Sequence, residues 1–231
     1  AATTGSPSGF ADEDDNGGSE ENGGGGGEEN GGSGDGDGSD AEVTGPRIFT
    51  TLVDSQSVID DYDDLGVEQS FTMTQGLIDD DDDGVWDGPR RIDRFLEDRV
   101  PLDFHGYLCL NWEGHALATM ADGASNPDFE DIMNEMIGVV EYVLAQRPNA
   151  KVGYYSLPIR EYWHQNDEWY AAANDAQPLF DVCTALYISV YDFYDYNEER
   201  DHEKFRNLTE LALTLAGDKP VLVSSLEMPA E

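Results

Sequence analysis

The stretch Gly106-Tyr107-Leu108-Cys109-Leu110-Asn111-Trp112-Glu113 decides how the chain is read. Successive side chains of a strand point to opposite faces of a sheet. Leu108, Leu110 and Trp112 therefore share one face, and Cys109, Asn111 and Glu113 the other. The first face is apolar, as if packed on helices, while the second turns polar toward the strand's C-terminal end. A later run repeats the pattern, with Leu186, Ile188 and Val190 opposed to Tyr187, Ser189 and Tyr191. That suits a (β/α) barrel with its site at the carboxyl ends of the strands.

Strand-like runs are predicted at Arg47–Val53, Gln69–Leu77, Gly106–Glu113, Lys151–Leu157, Ala185–Tyr191 and Pro220–Leu226. Helical patterns lie between them at Ser55–Leu65, Pro89–Arg99, Pro127–Gln146, Glu161–Ala173 and Glu198–Leu215. The Pro127 helix is the clearest. Asn126 can cap it, Pro127 suits its first turn, and Ile132, Met136, Val139, Val140 and Val143 form an apolar stripe. Strand followed by helix, repeated, argues for a parallel sheet covered by helices. A barrel and a doubly wound sheet both satisfy that order, and the polar strand ends favour a distorted TIM-like barrel.

The first 46 residues are of a different kind. They hold 15 of the 25 glycines and 12 acidic side chains, with no Lys or Arg. Such a segment buries too little apolar surface to offset its ordering entropy and is expected to be a disordered tether. Residues 47–231 carry 38 acidic and 12 basic side chains, a net charge of −26, and only three of the basic residues are Lys. That excess suits a protein working in high salt, where screening removes self-repulsion. Nucleic acid is a poor partner for such a chain and is not expected, because its binding draws on clustered Lys and Arg. Anionic membrane surfaces are poor partners too, since they draw on the same residues.

No apolar run is long enough to span a bilayer. The chain begins without Met, and Ala1–Phe10 is neither basic nor apolar enough for an export signal. The expectation is a secreted or surface-tethered protein whose signal has been removed. Cys109 and Cys183 show no metal-site spacing and are expected as buried free thiols. No cofactor is called for, and nothing in the sequence specifies an oligomeric state.

Asn111 and Glu113 would point to the same side with Cα atoms about 6.6 Å apart. At the end of a barrel strand they can address one sugar ring together, Glu113 as proton donor and Asn111 as orienting hydrogen-bond partner. An isolated N-x-E is most simply a solvated loop start. Three further segments weigh against that here: Gly153-Tyr154-Tyr155-Ser156-Leu157-Pro158, Ala185-Leu186-Tyr187-Ile188-Ser189-Val190-Tyr191 and Pro220-Val221-Leu222-Val223.

Together with Leu110-Asn111-Trp112-Glu113, and with Gln146-Arg147-Pro148 leading into the fourth strand, these segments resemble the hyaluronidase family of glycoside hydrolases, over roughly Asp87 to Val223. The resemblance implies a distorted, roughly seven-stranded barrel and retaining cleavage at an N-acetylhexosamine. In that family a D-x-E pair ends the third strand. Its Glu, matched by Glu113, is general acid and then base, and its Asp orients the acetamido group that serves as nucleophile. Tyr155 and Tyr191 fall on tyrosines lining the site of that sugar. Tyr offers a ring face and a hydroxyl edge to such a ligand.

The chain departs from the family pattern at three places. Asn111 stands for the Asp, so an acetamido N–H can still be accepted without a negative charge beside the developing cation. Ile159 replaces a site Asp, and Gly114-His115-Ala116 replaces a basic continuation. The chain is also expected to stop before the last strand and its stacking Trp.

Hyaluronan is a polyanion that a domain of this charge repels except in strong salt or through a local basic patch, so a neutral or weakly charged N-acetylated polysaccharide is the expected partner. Arg90, Arg91, Arg94 and Arg99 form the one basic cluster and are expected in salt bridges along their own helix. Tyr187 and Trp163 are further substrate-binding candidates; Trp163, His164 and Trp169 can stack on sugar, although helix core is the simpler place for the tryptophans. Glu227 and Asp192, with Asp195 nearby, are candidates for a second carboxylate in an ordinary two-carboxylate mechanism. Asp79, Asp81 and Asp83 resemble the start of a calcium loop, but an EF-hand needs Glu where this chain has Arg90. His105, His115, His164 and His202 show no ligand spacing. A barrel that binds glycan or serves as a surface module without cleaving is the alternative reading.

Overall fold

A computed structural model describes residues 49–50, 68–161, 163–190 and 198–224, all within the unit Gly45–Glu231. The Gly-rich segment 1–46 and the predicted helix Ser55–Leu65 lie outside the described residues, and the strand predicted at Arg47–Val53 is described only at β1, Phe49–Thr50.

Five further strands follow: β2 Glu68–Thr74, β3 Tyr107–Asn111, β4 Lys151–Tyr154, β5 Leu186–Ser189 and β6 Val221–Ser224. Every ladder among them is parallel, in the order β1-β2-β3-β4 and, separately, β5-β6. β4 and β5 run side by side. The Val152 carbonyl accepts from the N–H groups of Thr184 and Ala185, at 2.8 and 3.1 Å, and Tyr155 bridges Tyr187 in the parallel sense.

The helices are α1 Gln75–Ile78, α2 Pro89–Arg99, α3 Gly114–Asp122, α4 Phe129–Gln146, α5 Asp167–Asp175, α6 Gln177–Val182 and α7 Glu198–Ala216. The stripe Ile132, Met136, Val139, Val140 and Val143 is buried against Leu108, Leu110, Trp112 and Val152 in one large core. β3, β5 and β6 send their other face to a second cluster, where Cys109, Ala185 and Tyr187 meet Tyr107, Tyr155 and Leu222. The alternation read from β3 and β5 is thus the division between the two cores. This mixed α/β fold with parallel strands is the coarse architecture expected.

Several boundaries move for local reasons. The strand predicted to Leu77 ends at Thr74, and one helical turn buries Ile78 in the core. The α4 helix begins at Phe129 rather than Pro127. Asn126 does not cap it, because its Oδ1 accepts the Asp128 N–H at 3.0 Å and closes a turn ahead of the helix. The helix predicted from Glu161 starts at Asp167, where the Asn166 side chain accepts the Trp169 N–H at 3.1 Å. Helices α3 and α6 were not expected.

Candidate functional site

The register brings polar groups of neighbouring strands to one level. Thr74 of β2 pairs with Asn111 of β3, and Leu110 pairs with Tyr154, so that the Tyr155 N–H donates to the Leu110 carbonyl at 2.9 Å. Asn111 and Tyr155 therefore stand side by side at the carboxyl ends of β3 and β4. The Tyr155 hydroxyl lies 3.1 Å from the Oγ of Ser189 at the end of β5. Ser189 is fully buried and also accepts from an Arg160 guanidinium nitrogen at 2.5 Å.

Arg160 was not singled out from sequence. It follows Leu157-Pro158 alone, outside any basic cluster, and only the fold carries it to the strand ends. There it is a half-buried cation beside two hydroxyls, in a chain that is otherwise strongly acidic.

Glu113 is exposed at the N-cap position of α3. Its carboxylate makes no cap and has no hydrogen bond or ion pair among the described residues. Asn111 is half-buried, and its Oδ1 is shielded from solvent without a partner. An unfilled buried acceptor costs about 1–3 kcal/mol.

The remaining candidates separate by burial. Tyr187 is only 4% exposed, and its hydroxyl donates to the carbonyl of Lys151 at 2.5 Å. Lys151 opens β4, so this hydroxyl points away from the strand ends; Tyr187 fills the inner core rather than lining an open wall. Burial raises its phenol well above the ordinary range, as it does for Tyr154. Trp163 is 47% exposed. Trp169 is core: it is 9% exposed, and its indole N–H donates to the Ile159 carbonyl at 2.8 Å. His164 is exposed. Tyr191, Asp192, Asp195 and Glu227 lie outside the described residues. A cavity lined by Met120, Leu157, Ile159, Trp169, Ala172 and Phe180 lies among apolar side chains.

Asp79, Asp81 and Asp83 do cluster, with carboxylate oxygens within 4.8 Å of one another. Asp83, then slight burial and the charges of Asp87 and Asp79, raise the Asp81 carboxyl above its ordinary value. Asp79, however, is fully buried with its oxygens engaged. Oδ2 accepts from the Gly84 N–H at 2.9 Å and the Trp112 indole at 3.0 Å, and Oδ1 from the Asp83 N–H at 3.3 Å. The arginine expectation holds in part. Arg94 pairs with Asp98 along α2 at 3.5 Å, while Arg91 pairs with Asp80 and Asp87 of the preceding loop at 3.0 and 3.5 Å.

No family model matches the chain, and no curated protein matches it. Among solved structures, the chain is similar to bee venom hyaluronidase in complex with a hyaluronic acid tetramer, at 15% identity and a TM-score of 0.48 over 58% of this chain and 54% of that one. It is similar to the same enzyme in a monoclinic crystal at 14% identity and a TM-score of 0.47, over 58% of this chain and 56% of that one. The chain thus matches little more than half the length of these structures.

Proposed function

We propose that this chain is a glycoside hydrolase cleaving an N-acetylhexosamine-containing polysaccharide by a retaining, substrate-assisted mechanism, on a distorted and partial (β/α) barrel. The observation that supports it best is the juxtaposition at the strand ends. Asn111 and Tyr155 stand level on adjacent parallel strands, Ser189 and Arg160 close the next position, and an uncommitted Glu113 carboxylate follows two residues after Asn111.

The roles follow from the chemistry of the groups. Glu113 donates a proton to the leaving oxygen and then, as carboxylate, activates water. The acetamido oxygen of the substrate forms the bond to the anomeric carbon, and Asn111 turns its amide oxygen to accept the acetamido N–H. Tyr155 and Tyr191 contact the same sugar, and Trp163 offers a stacking face. Asp192 or Glu227 would supply a second carboxylate if an external nucleophile or base were used. The acidic surface fits secretion into, or tethering in, a high-salt medium.

Neutral Asn111 also fits a second reading, a barrel that holds glycan without cleaving it. Time-resolved NMR of products from N-acetylated oligosaccharides separates the two. The expected result is a first-formed product that keeps the anomeric configuration, with a rate that collapses when the acetamido group is replaced by trifluoroacetamido. Inversion, or indifference to the acetamido group, would contradict the mechanism. Saturable binding with no release of reducing ends would establish the binding module instead.

A further inference from the structure

The acidic loop between α1 and α2 makes hydrogen bonds that converge on the flanks of Glu113. Buried Asp79 accepts the indole N–H of Trp112, the residue before it, at 3.0 Å. Asp82 Oδ1 accepts the backbone N–H of His115, two residues after it, at 2.8 Å. The same Asp82 oxygen accepts from the Gln75 side chain at 3.0 Å, which ties the loop back to the end of β2.

Backbone geometry fits this contact. Asp82 has φ +59, in the left-handed region that Asp tolerates better than most residues. Gly114 has φ +56, and a Cβ there would sit 2.1 Å from Asp82 Oδ1, so only glycine lets the carboxylate reach the first turn of α3. A residue at N-cap ordinarily turns its own side chain back onto the first-turn N–H groups. Here Asp82 takes that task from across the chain, and the Glu113 carboxylate is left uncommitted.

We infer that Asp79 and Asp82 are positioning residues for Glu113, a bracket that fixes its backbone from both sides and releases its carboxylate from capping so that it faces the strand ends. The inference rests on the hydrolase reading for its catalytic consequence, but the bracket itself is a property of the fold. A catalytic group misplaced by about 1 Å can lose on the order of a hundredfold in rate.

The test compares Asp82→Ala with Asp82→Asn, both at an exposed side chain whose loss spares the core. The asparagine oxygen still accepts from His115 and Gln75, and the alanine removes both bonds. On an N-acetylated oligosaccharide, Asp82→Ala is expected to lower kcat at least tenfold with KM within about twofold, and Asp82→Asn to retain kcat within about threefold. Wild-type kcat in Asp82→Ala, or an equal loss in Asp82→Asn, would overturn the inference. In parallel, hydrogen exchange at the His115 amide and 15N relaxation across Glu113–His115 are followed by NMR. Faster exchange and a looser backbone in Asp82→Ala, restored in Asp82→Asn, are expected; unchanged values would overturn the bracket. Should Glu113→Gln cleave as well as wild type, the hydrolase reading falls while the NMR comparison still decides the bracket.

Discussion

Arg147 lays its guanidinium on the carbonyl of Val100, with Nε at 3.0 Å and Nη2 at 2.8 Å. The same Nη2 reaches the Leu96 carbonyl at 2.7 Å, and Nη1 donates to the Gln146 carbonyl at 3.0 Å. Arg147 is 3% exposed, so these are buried charge-assisted bonds to the negative end of α2. They lock α2 to the end of α4 just before β4 begins. Arg147→Met leaves the Val100 carbonyl in the core without its donors, while the Leu96 carbonyl keeps only the Val100 N–H at 3.1 Å, and is expected to cost about 2–4 kcal/mol in urea unfolding. Arg147→Lys should recover only part, since an ammonium lacks the fork that spans these carbonyls. The loss should be similar at low and at molar salt, because the group is shielded from mobile ions.

The two thiols give a pH prediction. Burial pushes Cys109 and Cys183 up to about 12, and both are free. At pH 8 the native thiols should resist maleimide and react only as the chain unfolds. In the unfolded chain a thiol titrates near 8.5, so between there and about 12 the unfolded state has lost protons that the native state keeps. Stability contributed by burying the neutral thiols is thus fully present below about pH 8.5 and declines as pH rises toward 12. Replacing both with Ala or Ser should flatten that alkaline decline, measured as the urea midpoint against pH.

Much of the fold was legible because it follows from alternation and periodicity. The faces of β3 and β5 and the stripe of α4 rest on residue type alone, and the structure keeps them. What escaped depends on distant partners. Helix α3 carries one apolar set, Ala116 and Met120 with Thr119, too short for a stripe; its alanines were the one available signal. The acidic loop resembled only the start of a calcium loop, because nothing local reveals that Asp79 meets Trp112 and Asp82 meets His115. Of the candidate site, Asn111, Glu113 and Tyr155 fall near one another, Tyr187 turns inward, and Arg160 enters unannounced. Tyr191, Asp192 and Glu227 fall outside the described residues.

Gly153 permits the close approach of β4 and β5. A Cβ there would lie 2.0 Å from the Ala185 carbonyl oxygen and 3.2 Å from the Tyr187 ring. Backbone cannot yield as a flexible side chain can. Gly153→Ala is expected to cost about 1–3 kcal/mol, with a lowered melting temperature as the measurement. The Tyr155–Ser189 contact should loosen with it, because both strands carry the site.

The chain carries a formal net charge of −38, and the ion pairs of Arg91 and Arg94 are exposed. Screening of self-repulsion should outweigh the weakening of such pairs. Thermal unfolding is expected to shift upward between 0.1 and 2 M sodium chloride, roughly the span over which the Debye length falls from about 10 Å to below 3 Å. A midpoint that falls with salt would contradict the high-salt reading of the composition.

The most direct measurement is the initial rate of reducing-end release from an N-acetylated polysaccharide in molar salt, by the full chain and by Glu113→Gln. The exchange keeps the size and exposure of the side chain and removes only its ability to move a proton. The expected result is measurable cleavage by the wild-type chain and a loss of at least a thousandfold in Glu113→Gln, with an unchanged melting temperature. Equal rates in the two proteins would contradict the assignment of catalysis to Glu113.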